Sequence, residues 1–182
     1  DDWFRIVVPV NMRDVGDRRM PAANRVSMAF LDRQVPDSQD EERLLSEILE
    51  EMRIVKRDVR ATRLLLVLGV LQWFPGILAK GLRRRRPWAT ALLTNVGAAL
   101  SNCHLPREDG KLLVGAMTLE AVDMVPIIRA CEPISFAVST YAGRLTLGMH
   151  FDPRTVRATD AEAMLALYSA RIRKSMMRDC VS

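Results

Sequence analysis

The chain has 182 residues and a mass of 20.5 kDa, enough for one compact domain with a core and too little for two ordinary domains. Hydrophobic residues make up 49% and charged residues 27% of the chain, a balance that excludes wholesale disorder. The formal charge of +5 comes mostly from arginine, and it favours binding of an anionic cofactor or lipid headgroup. Aromatic residues make up only 5% of the chain, which argues against a surface that stacks nucleic-acid bases.

Two strands are predicted at the N-terminal end. The residues from Trp3 to Val10 are apolar and β-branched, and they lead into the turn formers Asp14 and Gly16. This pattern predicts a strand that leaves a sheet. A second strand is predicted from Asn24 to Val35.

Two amphipathic helices are predicted from capping residues and from apolar residues at helical spacing. Ser38 and Glu41 form a capping-box signature before the first helix. Its apolar stripe is Leu44, Leu45, Ile48, Leu49 and Met52. In the last helix Thr159 and Glu162 are the predicted cap, and the buried stripe is Met164, Leu165, Tyr168, Ile172 and Met176. Both helices are expected to cover a sheet.

The segment from Leu64 to Ala79 is strongly apolar and is followed by the arginine run 83–86. At ~1.5 Å rise per residue it is too short for the ~30 Å hydrocarbon core, so it is not predicted to span a membrane. A core helix broken at Pro75 is the favoured interpretation. The alternative is an interfacial anchor in which Trp73, Phe74 and the arginines lie in a headgroup layer.

Strands return after Pro87. They are predicted from Ala89 to Val96, from Leu112 to Leu119, and as a hairpin from Ile134 to Asp152 that turns at Ala142 and Gly143. Strands and helices are therefore mixed without strict alternation. The order predicts an α/β two-layer sandwich in which helices cover a mixed β-sheet.

The three cysteines, Cys103, Cys131 and Cys180, match no zinc-ligand or CxxC spacing. We expect reduced thiols, no metal and no cofactor. No signal segment precedes Trp3, which favours a cytoplasmic location. The abrupt beginning at Asp1 predicts a fragment of a longer protein.

Four short pieces of the chain resemble a known superfamily when they are taken together. They are VVPVNMRD from Val7 to Asp14, the strand start Asn24-Arg25-Val26, TNVG from Thr94 to Gly97, and STYAGRLTLGMHFD from Ser139 to Asp152. In this order they resemble the C-terminal half of chloramphenicol acetyltransferase-like proteins, most closely the bacterial wax ester synthase/diacylglycerol acyltransferase family and its condensation-domain relatives. The resemblance implies one half of a chloramphenicol acetyltransferase-like fold, as a single domain over residues 1–182 with an apolar and basic insertion-like segment at about 57–87.

In that superfamily an HHxxxD motif from the first half supplies the general base, and this chain has no such motif. Its only histidines are His104 and His150, and neither belongs to a pair. His150 is expected to be a strand residue beside Asp152, and His104 a loop residue. Cys103 beside His104 could suggest a nucleophile and its base, but adjacent residues rarely point the same way, so we interpret the pair as coincidence. No catalytic residue is predicted in this chain.

The resemblance implies substrate-positioning roles for several residues. Arg13 is similar to a superfamily arginine that pairs with the aspartate of the histidine motif, and its alternative is a surface arginine after a turn. Asn95 resembles a tunnel residue whose amide could steady an oxyanion, and its alternative is a strand-end residue bonding the turn at Gly97. Thr94, Ser139 and Tyr141 are predicted to line the same channel.

The predicted function is that of the C-terminal half of an acyl-CoA-dependent O-acyltransferase of the wax ester/triacylglycerol type, with acyl-CoA as co-substrate and an alcohol or glyceride as acceptor. The alternative is a non-catalytic, self-associating or partner-binding module of the same fold. A peptide-synthetase condensation domain fits less well, because a carrier-domain linker would be expected after the last helix. The predicted partners are the missing N-terminal half or a second copy, and peripheral contact with a membrane or lipid droplet.

Overall fold

The computed structural model describes residues 3–13, 26–35, 40–57, 67, 69–71, 73–74, 76, 89–128 and 132–179. Within these residues the strands and the long helices follow one another along the chain. They are β1 (Trp3–Asn11), β2 (Val26–Gln34), α1 (Glu41–Arg57), β3 (Ala91–Ala98), β4 (Arg107–Glu108), β5 (Lys111–Val114), β6 (Met117–Thr118), β7 (Ile134–Tyr141), β8 (Arg144–Phe151) and α2 (Ala158–Asp179).

Five of the strands form a mixed sheet in the order β2-β1-β3-β7-β8. β1 pairs antiparallel with β2 and parallel with β3, and β7 pairs antiparallel with β8. The short strands β4, β5 and β6 form a separate antiparallel sheet. The predicted mixed α/β content is confirmed. The described residues group into two compact units, 1–93 and 94–182.

In the first unit, alternation along β1 sets which side chains are buried. Val7 faces Phe30 across the β1–β2 ladder and Leu92 across the β1–β3 ladder, and it clusters with Ala89 and Met28. These apolar contacts are the core of this unit on one side of the sheet. On the exposed edge of the ladder, Arg5 and Asp32 form a bidentate ion pair with N–O distances of 2.5 and 2.6 Å. The two N-terminal strands are thus confirmed, although residues 24–25 lie outside the described part of the chain.

The N-terminus of α1 differs from its predicted cap. Asp40 accepts a hydrogen bond from the Arg43 backbone N–H through Oδ1 at 3.1 Å, and its carbonyl accepts one from the Leu44 N–H at 2.9 Å. Asp40 is therefore the N-cap, because an aspartate oxygen satisfies a free amide of the first turn. Ser38 lies outside the described residues.

The predicted apolar stripe of α1 is only partly correct. Leu44, Ile48 and Met52 are half-buried, whereas Leu45 and Leu49 are exposed. The helix contacts β2, to which the ion pair between Arg33 and Glu51 also joins it at 2.8 Å. A stripe four residues apart is enough for this contact, so the flanking leucines stay in solvent.

The apolar segment from Leu64 to Ala79 is described at only a few positions. Residues 67 and 69–71 are helical. The side chains of Val67, Val70 and Phe74 are more than half exposed, and Trp73 is 81% exposed. A core helix is therefore wrong for these residues, while the remainder of the segment, including Pro75 and the arginine run, lies outside the described part. In the part of the chain that the structure covers, no helix has both the length and the apolar character needed to cross a membrane.

In the second unit, the strand predicted from Leu112 to Leu119 is two short strands. β5 and β6 are separated by a turn in which Gly115 has a φ of 63°, a left-handed conformation that favours glycine. β4 pairs with β5 on its other side. The apolar pattern identified an extended chain, but not the turn that folds it back on itself.

The hairpin from Ile134 to Asp152 is confirmed. Ala142 and Gly143 have φ values of 46° and 75°, as a two-residue turn of type I′ requires, and β7 and β8 pair along their whole length. On one side of the hairpin, the ring of Phe136 contacts that of Tyr168 in α2 edge-to-face at 5.3 Å.

The start and the buried stripe of α2 need correction. The helix begins at Ala158, and the carbonyl of Arg157 accepts the N–H groups of Asp160 and Ala161, so Thr159 is inside the helix and is not its cap. The inward residues are Ala161, Leu165, Tyr168 and Ile172. Met164 and Met176 are exposed, because the stripe that meets the hairpin is narrower than the apolar pattern suggests.

Candidate functional site

The β7–β8 hairpin carries two of the predicted substrate-binding residues, Ser139 and Tyr141. Alternation along β7 and the cross-strand register place them on one side of the hairpin. We call this side the inner face. Its β7 residues are Ser135, Ala137, Ser139 and Tyr141, and its β8 residues are Arg144, Thr146, Gly148 and His150. Helix α2 contacts the opposite side through Phe136.

The inner face is covered by residues 119–128, which we call the strap. The strap contains no helix or strand. The Leu119 carbonyl accepts a hydrogen bond from the Tyr141 hydroxyl at 2.8 Å, and the Pro126 carbonyl lies 3.0 Å from His150 Nδ1. The Met124 carbonyl lies directly over Gly148, where a Cβ would overlap it. Gly148 is required at this position because the strap main chain approaches so closely.

Two serine hydroxyls beneath the strap have no hydrogen-bond partner. Ser135 and Ser139 are completely or almost completely buried, and the Oγ atoms of both are unpaired. Buried Glu132, three residues before Ser135, has an unpaired Oε2. Buried polar groups in native proteins are nearly always paired, so the two unpaired serine hydroxyls on β7 mark the inner face as unusual.

Tyr141 is buried, and its hydroxyl is fully used within the chain. It accepts a hydrogen bond from the Leu112 N–H at 2.9 Å and donates to the Leu119 carbonyl. In this arrangement Tyr141 joins the small β4-β5-β6 sheet to the start of the strap. Tyr141 shares the inner face with Ser139, and its hydroxyl is bonded to backbone there.

His150 has a defined tautomer. A proline carbonyl can only accept, so the 3.0 Å contact with Pro126 requires a hydrogen on Nδ1 and leaves Nε2 as the acceptor in the neutral ring. His150 stands opposite Ser135 in the ladder. His104 is exposed in the turn after β3, and the neighbouring Cys103 is half-buried with no disulfide.

Asn95 and Thr94 lie on β3. Asn95 is exposed, and its Oδ1 accepts a hydrogen bond from the Gly97 N–H at 2.9 Å, which is the turn-bonding alternative for this residue. Gly97 has a φ of 69°, so the amide fixes a left-handed residue near the strand end. Thr94 is half-buried, and alternation points it to the side opposite Asn95.

Arg13 lies in the first unit, just after β1. It is exposed, and its backbone N–H donates to Asn11 Oδ1 at 3.0 Å. This Asx-type contact ends the strand. The structure thus brings Ser139 and Tyr141 together on one face, and it places Arg13 in a different compact unit from them.

Asp152 organises the connection from β8 to α2. Its N–H donates to the Pro133 carbonyl, and its carboxylate accepts from the backbone and the guanidinium of Arg154 at 2.7 to 3.2 Å. These hydrogen bonds lower the pKa of Asp152 to about 2, the guanidinium being the largest cause. The acidic end of the hairpin motif is therefore a structural element of the turn.

Sequence reasoning missed Ser135, Glu132 and the role of Gly148. A signal for Ser135 was present, since it is four residues before Ser139 on a predicted strand and so shares its face. Nothing local identifies Gly148, because its partner Met124 is distant in sequence.

In the ranges that the structure describes, no three His, Cys, Asp or Glu side chains are grouped closely enough to hold a metal ion. Comparisons with family models, with curated proteins and with solved structures found no match to this chain.

Proposed function

We propose that this chain is the C-terminal half of an acyl-CoA-dependent O-acyltransferase of the wax ester/triacylglycerol type, and that it supplies tunnel wall and substrate positioning. The observation that carries the proposal is the location of the four family-like pieces. Val7 to Asn11 are in β1, Val26 begins β2, Thr94 to Gly97 are in β3, and Ser139 to Phe151 are in the β7–β8 hairpin. All four contribute strands to one five-stranded sheet, as a shared fold would require.

Acyl transfer to an alcohol needs a general base, and the HHxxxD motif that supplies it in the family is absent from this sequence. A histidine with a pKa near ~6.5 takes the proton of the acceptor hydroxyl while its oxygen attacks the thioester carbonyl. The tetrahedral intermediate then collapses, and the coenzyme A thiolate leaves with that proton. In the proposal, the histidine comes from an HHxxxD motif in the other half of the enzyme.

Asn95 can assist this step without losing its structural role. Its Oδ1 is engaged by the Gly97 N–H, while the side-chain Nδ2 can donate to a developing oxyanion. Donors of this kind typically contribute about 10²–10³-fold to the rate constant. The proposed role of Asn95 is therefore to donate a hydrogen bond from Nδ2 while Oδ1 keeps the turn.

A non-catalytic, self-associating or partner-binding module is the second candidate. It is favoured by the exposed apolar side chains of the second unit, notably Val125 at 79%, Ile127 at 76% and Met117 at 69%. Large apolar side chains that stay this exposed are candidates for contact with a partner. The same side chains would also suit contact with another half of an enzyme.

The first test is purification of the tagged full-length gene product from its native cells, followed by intact mass spectrometry. The enzyme proposal expects an HHxxxD sequence, either on the same polypeptide or on a co-purifying one. A preparation with no such sequence, and with this chain present only as copies of itself, would contradict the enzyme proposal and support the binding module.

The role of Asn95 is tested by a pair of variants in the active assembly. Asn95→Asp keeps an oxygen for the Gly97 N–H and removes the Nδ2 donor, so we expect kcat to fall by about 10²-fold or more with little change in melting temperature. Asn102→Ala, at another exposed asparagine of the same unit, is the matched control and should leave kcat unchanged. Equal kcat for Asn95→Asp and wild type would contradict the oxyanion role and leave Asn95 with only its hydrogen bond to the Gly97 turn.

A further inference from the structure

Strand β8 is an edge of the five-stranded sheet, and two backbone contacts show which of its residues face outward. The Thr140 carbonyl accepts a hydrogen bond from the Ala99 N–H at 2.8 Å, so the backbone of Thr140 is directed away from its cross-strand partner Leu145. The Asp152 N–H, in contrast, donates to the Pro133 carbonyl inside the hairpin. Because bonded and non-bonded pairs alternate along an antiparallel ladder, the odd-numbered residues of β8 direct their N–H and C=O groups to the open edge. They are Leu145, Leu147, Met149 and Phe151.

This open edge lacks the features that normally prevent strand pairing. β8 contains no proline, no lysine and no acidic residue, and its register with β7 is continuous, without a bulge. Edge strands of soluble proteins usually carry at least one of these protections. Among the residues that the structure describes, none donates a backbone hydrogen bond to the outward groups of β8 or accepts one from them. The edge is therefore open to the addition of a strand.

The edge is complementary to a second copy of itself. We consider an antiparallel partner placed so that Gly148 lies opposite the partner's Gly148. The outward residues of each copy then form hydrogen-bonded pairs, Leu145 with Phe151 and Leu147 with Met149. No outward group of the edge is left without a partner.

Charge and backbone chemistry both favour this register. Arg144 is exposed and has no ion pair within the described part of the chain, and the register places it opposite the partner's Asp152. Opposite charges across a strand pair are stabilising. A shift of two residues in one direction would place Arg144 opposite the partner's His150. The same shift in the other direction would place Leu145 opposite the partner's Pro153, which has no N–H to donate.

Exposed apolar side chains lie beside the axis of such a dimer. The two-fold axis relating antiparallel copies passes between the two Gly148 residues and is perpendicular to the sheet, so both straps lie on the same side of it. The Met124 carbonyl of the strap lies directly over Gly148. The next residue, Val125, and nearby Ile127 are more than three-quarters exposed. Pairing of the edges would bring these side chains of the two copies together and bury apolar area.

We propose that two copies of this chain associate through β8, antiparallel and with Gly148 opposite Gly148, so that their sheets join into one. The occupant of the edge is a second copy, because both the pairing of the outward groups and the Arg144–Asp152 contact are satisfied by the same strand. The inference goes beyond the acyltransferase proposal, and the dimer forms whether or not the assembly makes esters.

The first test combines sedimentation equilibrium of the full chain with hydrogen exchange at two concentrations, one below and one above the dimer dissociation constant. The amides of the outward residues should exchange at least about tenfold more slowly in the dimer. Those of Thr146, Gly148 and His150 are bonded to β7 and should be protected at both concentrations. A chain that stays monomeric at all concentrations, or a dimer in which the outward amides exchange as in the monomer, would overturn the proposal.

Leu147→Pro tests the edge without removing a bond inside the hairpin. The Leu147 N–H faces outward, and proline is tolerated in an edge strand at such a position. Leu147→Ala is the matched control, since it also loses the leucine side chain but keeps the N–H. We expect the dimer dissociation constant of Leu147→Pro to be at least about tenfold higher than that of Leu147→Ala, with similar far-UV circular dichroism. Equal dissociation constants would show that the dimer does not form through this edge.

The register is tested by mixing two cysteine variants, Thr146→Cys and His150→Cys. In the proposed dimer these positions are opposite each other in a non-hydrogen-bonded pair with Cα atoms about 4.5 Å apart, a distance that a disulfide spans. Under mild oxidation the mixture should give a disulfide between positions 146 and 150, identified by peptide mapping, and neither variant alone should cross-link at its new cysteine. Absence of this link in the mixture, or protection of the edge amides by a different co-purifying polypeptide, would refute the second copy as the occupant.

Discussion

Replacing Tyr141 by phenylalanine is the sharpest test of the inner face. The substitution removes one hydroxyl and leaves two backbone groups without partners, the Leu112 N–H and the Leu119 carbonyl. Leu112 is fully buried, so leaving its N–H unpaired should lower the free energy of unfolding by about 1–3 kcal/mol. Leu119 is half-buried, so its unpaired carbonyl should cost less. We expect the free energy of unfolding to fall by about 2–4 kcal/mol in total.

The assay is urea unfolding of the full chain followed by far-UV circular dichroism, with linear extrapolation to water. Tyr168→Phe is the matched control, since this half-buried tyrosine makes a ring contact with Phe136 and no hydrogen bond in the described residues. Its loss of a hydroxyl should change stability by less than about 0.5 kcal/mol. Similar losses for the two variants would show that the Tyr141 hydroxyl does not join the strap and the small sheet.

Three further predictions concern local structure. The pKa of Asp152 in the folded chain is depressed from its ordinary value of 3.8 to about 2, so its contribution to the free energy of unfolding is present above about pH 4 and is lost as the pH falls through about 2. Asp152→Asn should flatten that part of an acid titration followed by circular dichroism. An unchanged profile would contradict the Arg154 contact. Asp40→Ala should lower the free energy of unfolding by about 1 kcal/mol in urea titrations, and Ser38→Ala should leave it unchanged. A larger loss for Ser38→Ala than for Asp40→Ala would instead support the predicted capping box with Ser38 as the N-cap. Ala142→Gly should raise the melting temperature, with a gain of up to about 1 kcal/mol, because alanine at a φ of 46° is strained; a loss of stability would refute the type I′ turn.

Local patterns were sufficient to predict the strands and the hairpin. The β-branched alternation of β1 and the Ala142–Gly143 turn are decided by neighbouring residues, so the sequence is informative about them. Helix caps were less certain, because Ser38 and Asp40 are both good N-caps and propensity does not choose between them. The turn at Gly115 was missed since a short apolar run resembles one continuous strand.

The candidate site depended on contacts between distant residues. Alternation along a strand is enough to put Ser139 and Tyr141 on one face, but the strap that covers this face could not be predicted. Its attachment to His150 joins residues 24 positions apart, and that to Tyr141 joins residues 22 apart. For Asn95, the sequence allowed both an oxyanion donor and a turn contact, and the structure places its Oδ1 on the Gly97 N–H.

The most direct test of the acyltransferase proposal is ester synthesis by the purified full-length assembly. Isotope-labelled palmitoyl-CoA is supplied with hexadecanol or with a diacylglycerol, and the labelled neutral lipid and free coenzyme A thiol are both quantified. The proposal predicts one equivalent of thiol released for each ester formed, and a loss of both signals in Asn95→Asp. An assembly that contains an HHxxxD histidine and folds normally, yet releases thiol no faster than buffer with either acceptor, would contradict it.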